Sequence, residues 1–156
     1  MNKKIIYIAL FALLVDVVSK ILVDNTMNYM ETIPVIMNFF SITKVYNTGA
    51  SWSILSGYQF ILIIITIIML ALLIYYQAKF TLNNRNVFAF GLLYGGIIGN
   101  LLDRILYGHV IDFFDFKIFG YDYPVFNFAD IFIVIGIILL IIAIYKKEDI
   151  NEVSSR

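Results

Sequence analysis

The chain carries acidic residues where an apolar sequence tolerates them least. Between Gly95 and Asp130, in GGIIGNLLDRILYGHVIDFFDFKIFGYDYPVFNFAD, stand Asp103, Asp112, Asp115, Asp122 and Asp130, with Arg104 beside the first. Only 14% of the 156 residues are charged, so the stretch stands apart from the rest. An ionisable side chain in or near lipid is costly unless paired or wetted, which makes each one a candidate for function. Two carboxyl groups within hydrogen-bond reach cannot both ionise easily, so one keeps a proton while the other serves as base. Such a pair can deprotonate a water for attack on a carbonyl and then protonate the departing group.

Asp112 and Asp130 are the best placed for this, since one follows the third apolar segment and the other opens the fourth. Asp103 adjoins Arg104, which is expected to hold it ionised and suits it to orienting rather than reacting. Lys20 engages Asp16 in the same way. The absence of cysteine excludes thiolate nucleophiles, disulfides and cysteine metal sites. His109 is the only histidine, which argues against a histidine metal centre or a Ser-His-Asp triad. A net charge of +0 gives no pointer to nucleic acid. Carboxylates alone leave two other readings open. One is a small proton-coupled transporter relaying through Asp16, Asp103 and Asp130. The other is a non-enzymatic assembly subunit that uses a ridge of glycines as its interface.

The elements that must position these residues follow from hydropathy. The chain is 62% hydrophobic and 17% aromatic, against roughly 45–50% apolar residues in a soluble domain. The fold class is therefore a membrane protein, mainly α, a single domain of four spanning helices with a small extracytoplasmic β-region. The first segment, about 5–23, follows Lys3 and Lys4 without a small-x-small cleavage site, so it reads as a retained helix and not a signal peptide. Asp16 and Lys20 sit in it at i, i+4, the better order for a helical pair. They read either as a pair neutralising itself near the helix end, with Lys20 snorkelling, or as support for a polar site.

The first extracytoplasmic stretch, 24–58, contains FFSITKVYN, whose alternation and β-branching predict strands. NTGASWS follows, where Gly49 lets backbone approach backbone or ligand, and where Trp52, like Tyr46 and Tyr58, suits an interfacial belt. The uncharged segment 60–78 reads as a lipid-facing helix without chemistry. Segment 87–107 places Gly91, Gly95 and Gly99 every four residues, with Gly96 adding to the ridge and Asn100, Asp103 and Arg104 one turn on. Gly108 permits a left-handed helix end. HVIDFFDFKIFGYDYP predicts a short hairpin or extended loop turning at Gly120, with Asp115, Lys117 and Asp122 solvated. Segment 127–145 opens with Asn127 and Asp130 on one face, Ala129 leaving room between them, and a frayed tail follows.

Four crossings put Lys3, Lys4, Lys79, Arg85, Lys146, Lys147 and Arg156 on one side and leave Lys44 and Lys117 in the opposite loops. The positive-inside rule then sets both termini in the cytoplasm. Asp16, Asn47, Asn100, Asp103, Asp112, Asn127 and Asp130 all fall towards the outer leaflet.

Five stretches in order, DVVSK (16–20), NTGASW (47–52), GGIIGNLLDR (95–104), GHVIDF (108–113) and FNFAD (126–130), resemble the motif set of signal peptidase II, the bacterial lipoprotein signal peptidase. The resemblance runs from the first helix to the fourth and matches in size. It implies an intramembrane aspartic endopeptidase of the bacterial plasma membrane, without metal or organic cofactor. The implied substrates are prolipoproteins cut before a lipobox cysteine that already bears a diacylglyceryl group, with membrane lipid around them and a monomer as the working unit. The implied dyad is Asp112 with Asp130. The choice of Asp112 over Asp103 rests partly on this resemblance. The remaining motif residues, Asp16, Lys20, Asn47, Gly49, Gly96, Asn100, Asp103, Arg104, Asn127 and Ala129, are implied to shape the site and hold substrate. The resemblance also implies a β-cradle within 24–58 and an arm over the site within 107–125.

Overall fold

The computed structural model describes residues 2–49 and 55–148. Its elements are α1 (Lys3–Thr26), β1 (Thr32–Ile36), β2 (Phe40–Asn47), α2 (Gln59–Gln77), α3 (Asn84–Tyr107), β3 (Val110–Ile118), β4 (Tyr121–Asp122) and α4 (Phe128–Tyr145). All four helices are long and apolar enough to cross a membrane.

Helix ends fall where backbone groups find partners. α1 runs on to Thr26, past the expected limit at residue 23, because its polar end is satisfied locally. Asn25 Nδ2 and Thr26 Oγ1 donate to the Ile21 and Leu22 carbonyls at 2.9 and 2.6 Å. Lys44 Nζ, reaching over from β2, then donates to the carbonyls of Asp24 and Met27, which the helix itself leaves without partners. α3 begins at Asn84 because the Asn83 side chain caps it, accepting from Asn86 N. It ends at Gly108, whose φ of 73° closes the last turn onto Arg104 O.

The bundle is built around α3. Of the residues in its membrane-length stretch 67% are buried, against 22% in α1, 17% in α4 and 6% in α2, which makes α3 the centre and α2 the periphery. Contact between helices is set by the small residues. Gly91, Gly95 and Gly99 of α3 face Ile8, Ala12 and Asp16 of α1 in parallel register. A Cβ on Gly95 would stand 2.6 Å from Ala12 Cβ and 2.7 Å from the Ala9 carbonyl oxygen. Gly96 abuts the Ala129 backbone of α4, and Gly136 of α4 takes Leu93 of α3. The glycine ridge is thus filled from within the chain, and the surface that an assembly subunit would offer a partner is already covered. At the other end Ile5, Phe80, Phe90, Tyr94 and Ala143 close a buried apolar cluster.

The sequence tail begins less freely than expected. Glu148 accepts from Asn83, Arg85 and Asn86, and its carbonyl accepts from Thr81 N, which ties the end of α4 to the turn before α3. The rest of the tail lies outside the described residues.

The two outer loops, expected as a cradle and a separate arm, share one antiparallel sheet in the order β1-β2-β3-β4. β2 pairs with β3 through Phe40↔Phe116 and Val45↔Asp112, with a register shift between Ile42 and Val45. An isolated bridge, Phe114↔Phe126, then docks the segment before α4 against β3. Aromatics fill this corner: Phe114 lies 5.6 Å from Phe126 and 4.9 Å from Phe128, centroid to centroid. That bridge carries the start of α4 to Asp112. Asp115 differs from the expected solvated residue, being half-buried and accepting from Thr43 Oγ1 at 2.6 Å. Lys117 and Asp122 are exposed and face each other at 3.3 Å.

Candidate active site

The N-terminus of α4 forms a capping box. Asn127 Oδ1 accepts from Asp130 N at 3.0 Å, and Asp130 Oδ2 accepts from Asn127 N at 3.2 Å. Reciprocal caps of this kind satisfy two of the orphan donors at a helix start. Asn-x-x-Asp just ahead of an apolar run is a sequence signature of that arrangement, and the i, i+3 spacing alone does not convey it.

Asn127 also reaches the second acid. Its Nδ2 donates to Asp112 Oδ1 at 2.6 Å and to Asn100 Oδ1 at 3.0 Å. Asn100 Nδ2 in turn donates to Asp130 Oδ1 at 2.8 Å. Asn127, at the head of α4, therefore holds both acids, and Asn100 on α3 holds Asp130 directly and Asp112 only through Asn127. On its other side Asp112 Oδ2 accepts from Asn47 Nδ2 at 2.9 Å. Asn47 is fixed by accepting from Gly49 N, and the Gly49 carbonyl accepts from Arg104. Gly49 thus enters through its backbone, as a link between Arg104 and Asn47. Ala50, Ser51, Trp52 and Ser53, the remainder of that sequence stretch, lie outside the described residues.

Below the acids lies a buried cation. Lys20 Nζ stands 2.7 Å from Asp16 Oδ2, 3.0 Å from Asp103 Oδ2 and 2.9 Å from Asn100 Oδ1. Lys20 is only 2% exposed and Asp16 not at all, so the lysine does not snorkel to the interface. Nor is Asp103 held by its neighbour Arg104: it takes Lys20 and the Ile111 N–H, while Arg104 turns to the Asn100 and Gly49 carbonyls. Consecutive residues on a helix point some 100° apart, which favours a partner from another helix.

Asn47, Asn100, Arg104, Asp112 and Asp130 form the floor of a cavity of about 1190 Å³, whose walls are apolar, from Ile97, Ile131, Val134, Phe116 and Phe126. Thr66 and Met69 of α2 also line it, although the uncharged segment gave no sign of this beyond a threonine in an isoleucine run. Burial first, and then the negative charge of Asp130, push the Asp112 carboxyl up to about 7, against the pull of Asn47, Lys20 and Asn127. A carboxyl with that value holds or releases a proton near neutrality, as general acid–base work requires. Among the described residues no three His, Asp or Glu side chains converge as a metal centre needs.

The sequence model for "Signal peptidase (SPase) II" matches residues 8–146. The chain belongs to the signal peptidase II family. A lipoprotein signal peptidase of Staphylococcus aureus (strain JH9) is 46% identical over 144 residues, covering 90% of this chain and 87% of its own length. That of the Newman strain matches equally. Two solved bacterial membrane enzymes share the fold. One, determined in meso at 2.3 Å, superposes with a TM-score of 0.86 at 44% identity over 94% of this chain and 90% of its own. The other, at 1.9 Å, gives 0.82 at 43% identity, over 92% and 94%. A signal peptidase II is a peptide hydrolase of lipoprotein processing, and its four helices here make a multi-pass bacterial membrane protein.

Proposed function

We propose that Asp112 and Asp130 are the catalytic dyad of this lipoprotein signal peptidase. The observation that carries the reading is Asn127: one side chain and its own backbone N–H contact both carboxyl groups, on the floor of an apolar cavity. In the resting site the pair holds one proton, placed on Asp112, whose carboxyl is pushed up to about 7. Asp130 takes a proton from water as the water oxygen bonds to the scissile carbonyl carbon. Asp112 polarises that carbonyl and then gives its proton to the departing nitrogen as the C–N bond breaks. The products are a new carboxyl end on the signal peptide and a free amine on the mature protein, and the dyad again holds one proton.

The substrate is a prolipoprotein bearing a diacylglyceryl-modified cysteine in its lipobox. The cavity suits it, with acyl chains and the signal helix against isoleucine and phenylalanine walls at about 0.8 kcal/mol per buried CH₂. Polar recognition is confined to the floor. Arg104 lines the cavity, and the guanidinium N–H groups that its two carbonyl contacts do not use are offered to substrate carbonyls. Asn47, Asn100 and Asn127 orient the dyad, Lys20 and Asp103 anchor Asn100 and β3, and Gly96 and Ala129 seat α4 against α3. The active site faces the outer leaflet with both termini in the cytoplasm, as the distribution of lysine and arginine supports, and the chain works as a monomer. Cleavage of a lipidated, lipobox-bearing peptide by purified protein tests the proposal. Asp112→Asn and Asp130→Asn should each fold and bind the peptide without cutting it. Cleavage by either variant removes that residue from the dyad.

A further inference from the structure

The orphan N–H groups at a helix start need acceptors, and at α4 they are met from two different helices. Asn127 Oδ1 takes Asp130 N from within the capping box. Asp16 Oδ1, on α1, takes Ala129 N at 2.9 Å. Its other oxygen is held by Lys20 at 2.7 Å, so the carboxylate is stretched between a cation of its own helix and the N-terminus of another. A negative group at that position is favoured by the helix dipole. Asp16 is fully buried and lies off the cavity wall, out of reach of substrate.

The space for this contact is made by Gly99. A Cβ there would collide with Asp16 Oδ2 and stand 3.2 Å from its Cγ. The third glycine of the α3 ridge therefore does something different from Gly91 and Gly95, which receive apolar side chains. It opens a notch through which α1 reaches α4. Ala129 immediately precedes Asp130, so the bond to Asp16 acts one residue from the proposed base.

We infer that Asp16 is a positioning residue for the reaction: it caps α4 across the bundle, through the notch at Gly99, and so fixes where Asp130 points. The inference rests on the reading of Asp112 and Asp130 as the dyad. Misplacing a catalytic group by ~1 Å can cost ~10²-fold in rate. Substrate binding, which Asp16 does not touch, should be spared.

Two variants test it, with kcat and KM measured on a lipidated peptide and expressed per folded molecule. Gly99→Ala keeps the charge of Asp16 but crowds it off Ala129. Asp16→Asn has the wild-type shape, but its amide can face Ala129 with oxygen only by turning nitrogen onto the Lys20 ammonium, so the cap is lost. Both should lower kcat by about 10- to 100-fold with KM within about 3-fold of wild type. The charges bearing on Asp112 are Asp130 on α4, Lys20 on α1 and Arg104 on α3, and Lys20 is itself partly neutralised by Asp16 on α1 and Asp103 on α3. Removing the negative one at position 16 leaves Lys20 less neutralised, so the alkaline limb of kcat, which Asp112 sets when it loses its proton, moves to lower pH in Asp16→Asn and stays in place in Gly99→Ala. A merely structural role would lower the yield of folded enzyme and leave kcat per folded molecule at its wild-type value in both variants, which would overturn the inference. If Gly99→Ala does not fold, Asp16→Asn decides alone. Asp130→Asn run alongside separates the two readings: if it cuts, the dyad fails, and if it is dead while Asp16→Asn is wild type, only the positioning role fails.

Discussion

Replacing Lys20 with methionine should be among the most damaging changes outside the cavity. The lysine ammonium is 2.7 Å from Asp16 and 3.0 Å from Asp103, and all three groups are buried. At an effective dielectric of about 20 these separations of 2.7 and 3.0 Å correspond to attractions of about 6 and about 5.5 kcal/mol. Burying each ion costs several kcal/mol, so the intact triad is close to neutral for stability. Methionine fills similar volume but cancels both attractions, leaving two carboxylates buried and facing each other. Breaking buried pairs in this way typically costs about 3–5 kcal/mol, or about 10²- to 10⁴-fold in the folding equilibrium. For a chain of this size the expected drop in Tm is about 6–20 °C, measured by thermal unfolding in detergent. The triple variant Lys20→Met, Asp16→Asn, Asp103→Asn removes all three charges and should recover most of that loss. It should not recover cleavage, because Asn100 has lost the lysine that fixes its carbonyl and α4 has lost its cap from Asp16. A Lys20→Met protein as stable as wild type would show that Asp16 and Asp103 are not held as charged partners, and the electrostatic account of the site floor would fail with it.

Two further outcomes follow from the packing and from Asp112. Folded Asp112 keeps its proton to about pH 7 whereas the ordinary value is 3.8, so it binds more protons folded than unfolded between those limits. Its contribution to stability is complete below about pH 4 and is lost as pH rises through about 7, an effect on the order of 4 kcal/mol. Asp112→Asn should therefore flatten the dependence of Tm on pH over that window while abolishing cleavage, and an unchanged slope would refute the burial argument. Gly95→Ala places a methyl group 2.6 Å from Ala12 Cβ, so α1 and α3 must separate, at a cost of about 1–3 kcal/mol. Wild-type stability would mean that the α1–α3 contact is looser than this.

The sequence by itself determined the framework. Four long apolar runs can only be helices in lipid, since every backbone polar group there must be satisfied internally. Their order and the costly ionisable residues between them pointed to Asp112 and Asp130 as the candidate pair, with the choice over Asp103 leaning on the family motifs. Gly108 was readable as a helix end because a left-handed turn there has few alternatives. Much of the rest depended on which surfaces meet. Nothing in the spacing of Asp103 and Arg104 reveals that the acid turns to Lys20 of another helix and the arginine to a loop carbonyl. Periodicity cannot tell a lysine that snorkels from one enclosed by three partners, because both occupy the same helical position. The outer loops, 63 to 76 residues apart at their paired positions from Asn47↔Val110 to Phe40↔Phe116, join in one sheet. Such long-range partners are chosen by packing and register, which local sequence does not encode. The glycines make the point most sharply: equal spacing gave Gly91, Gly95 and Gly99 one reading, and only the neighbouring helix decided that two of them receive side chains for packing and the third a carboxylate.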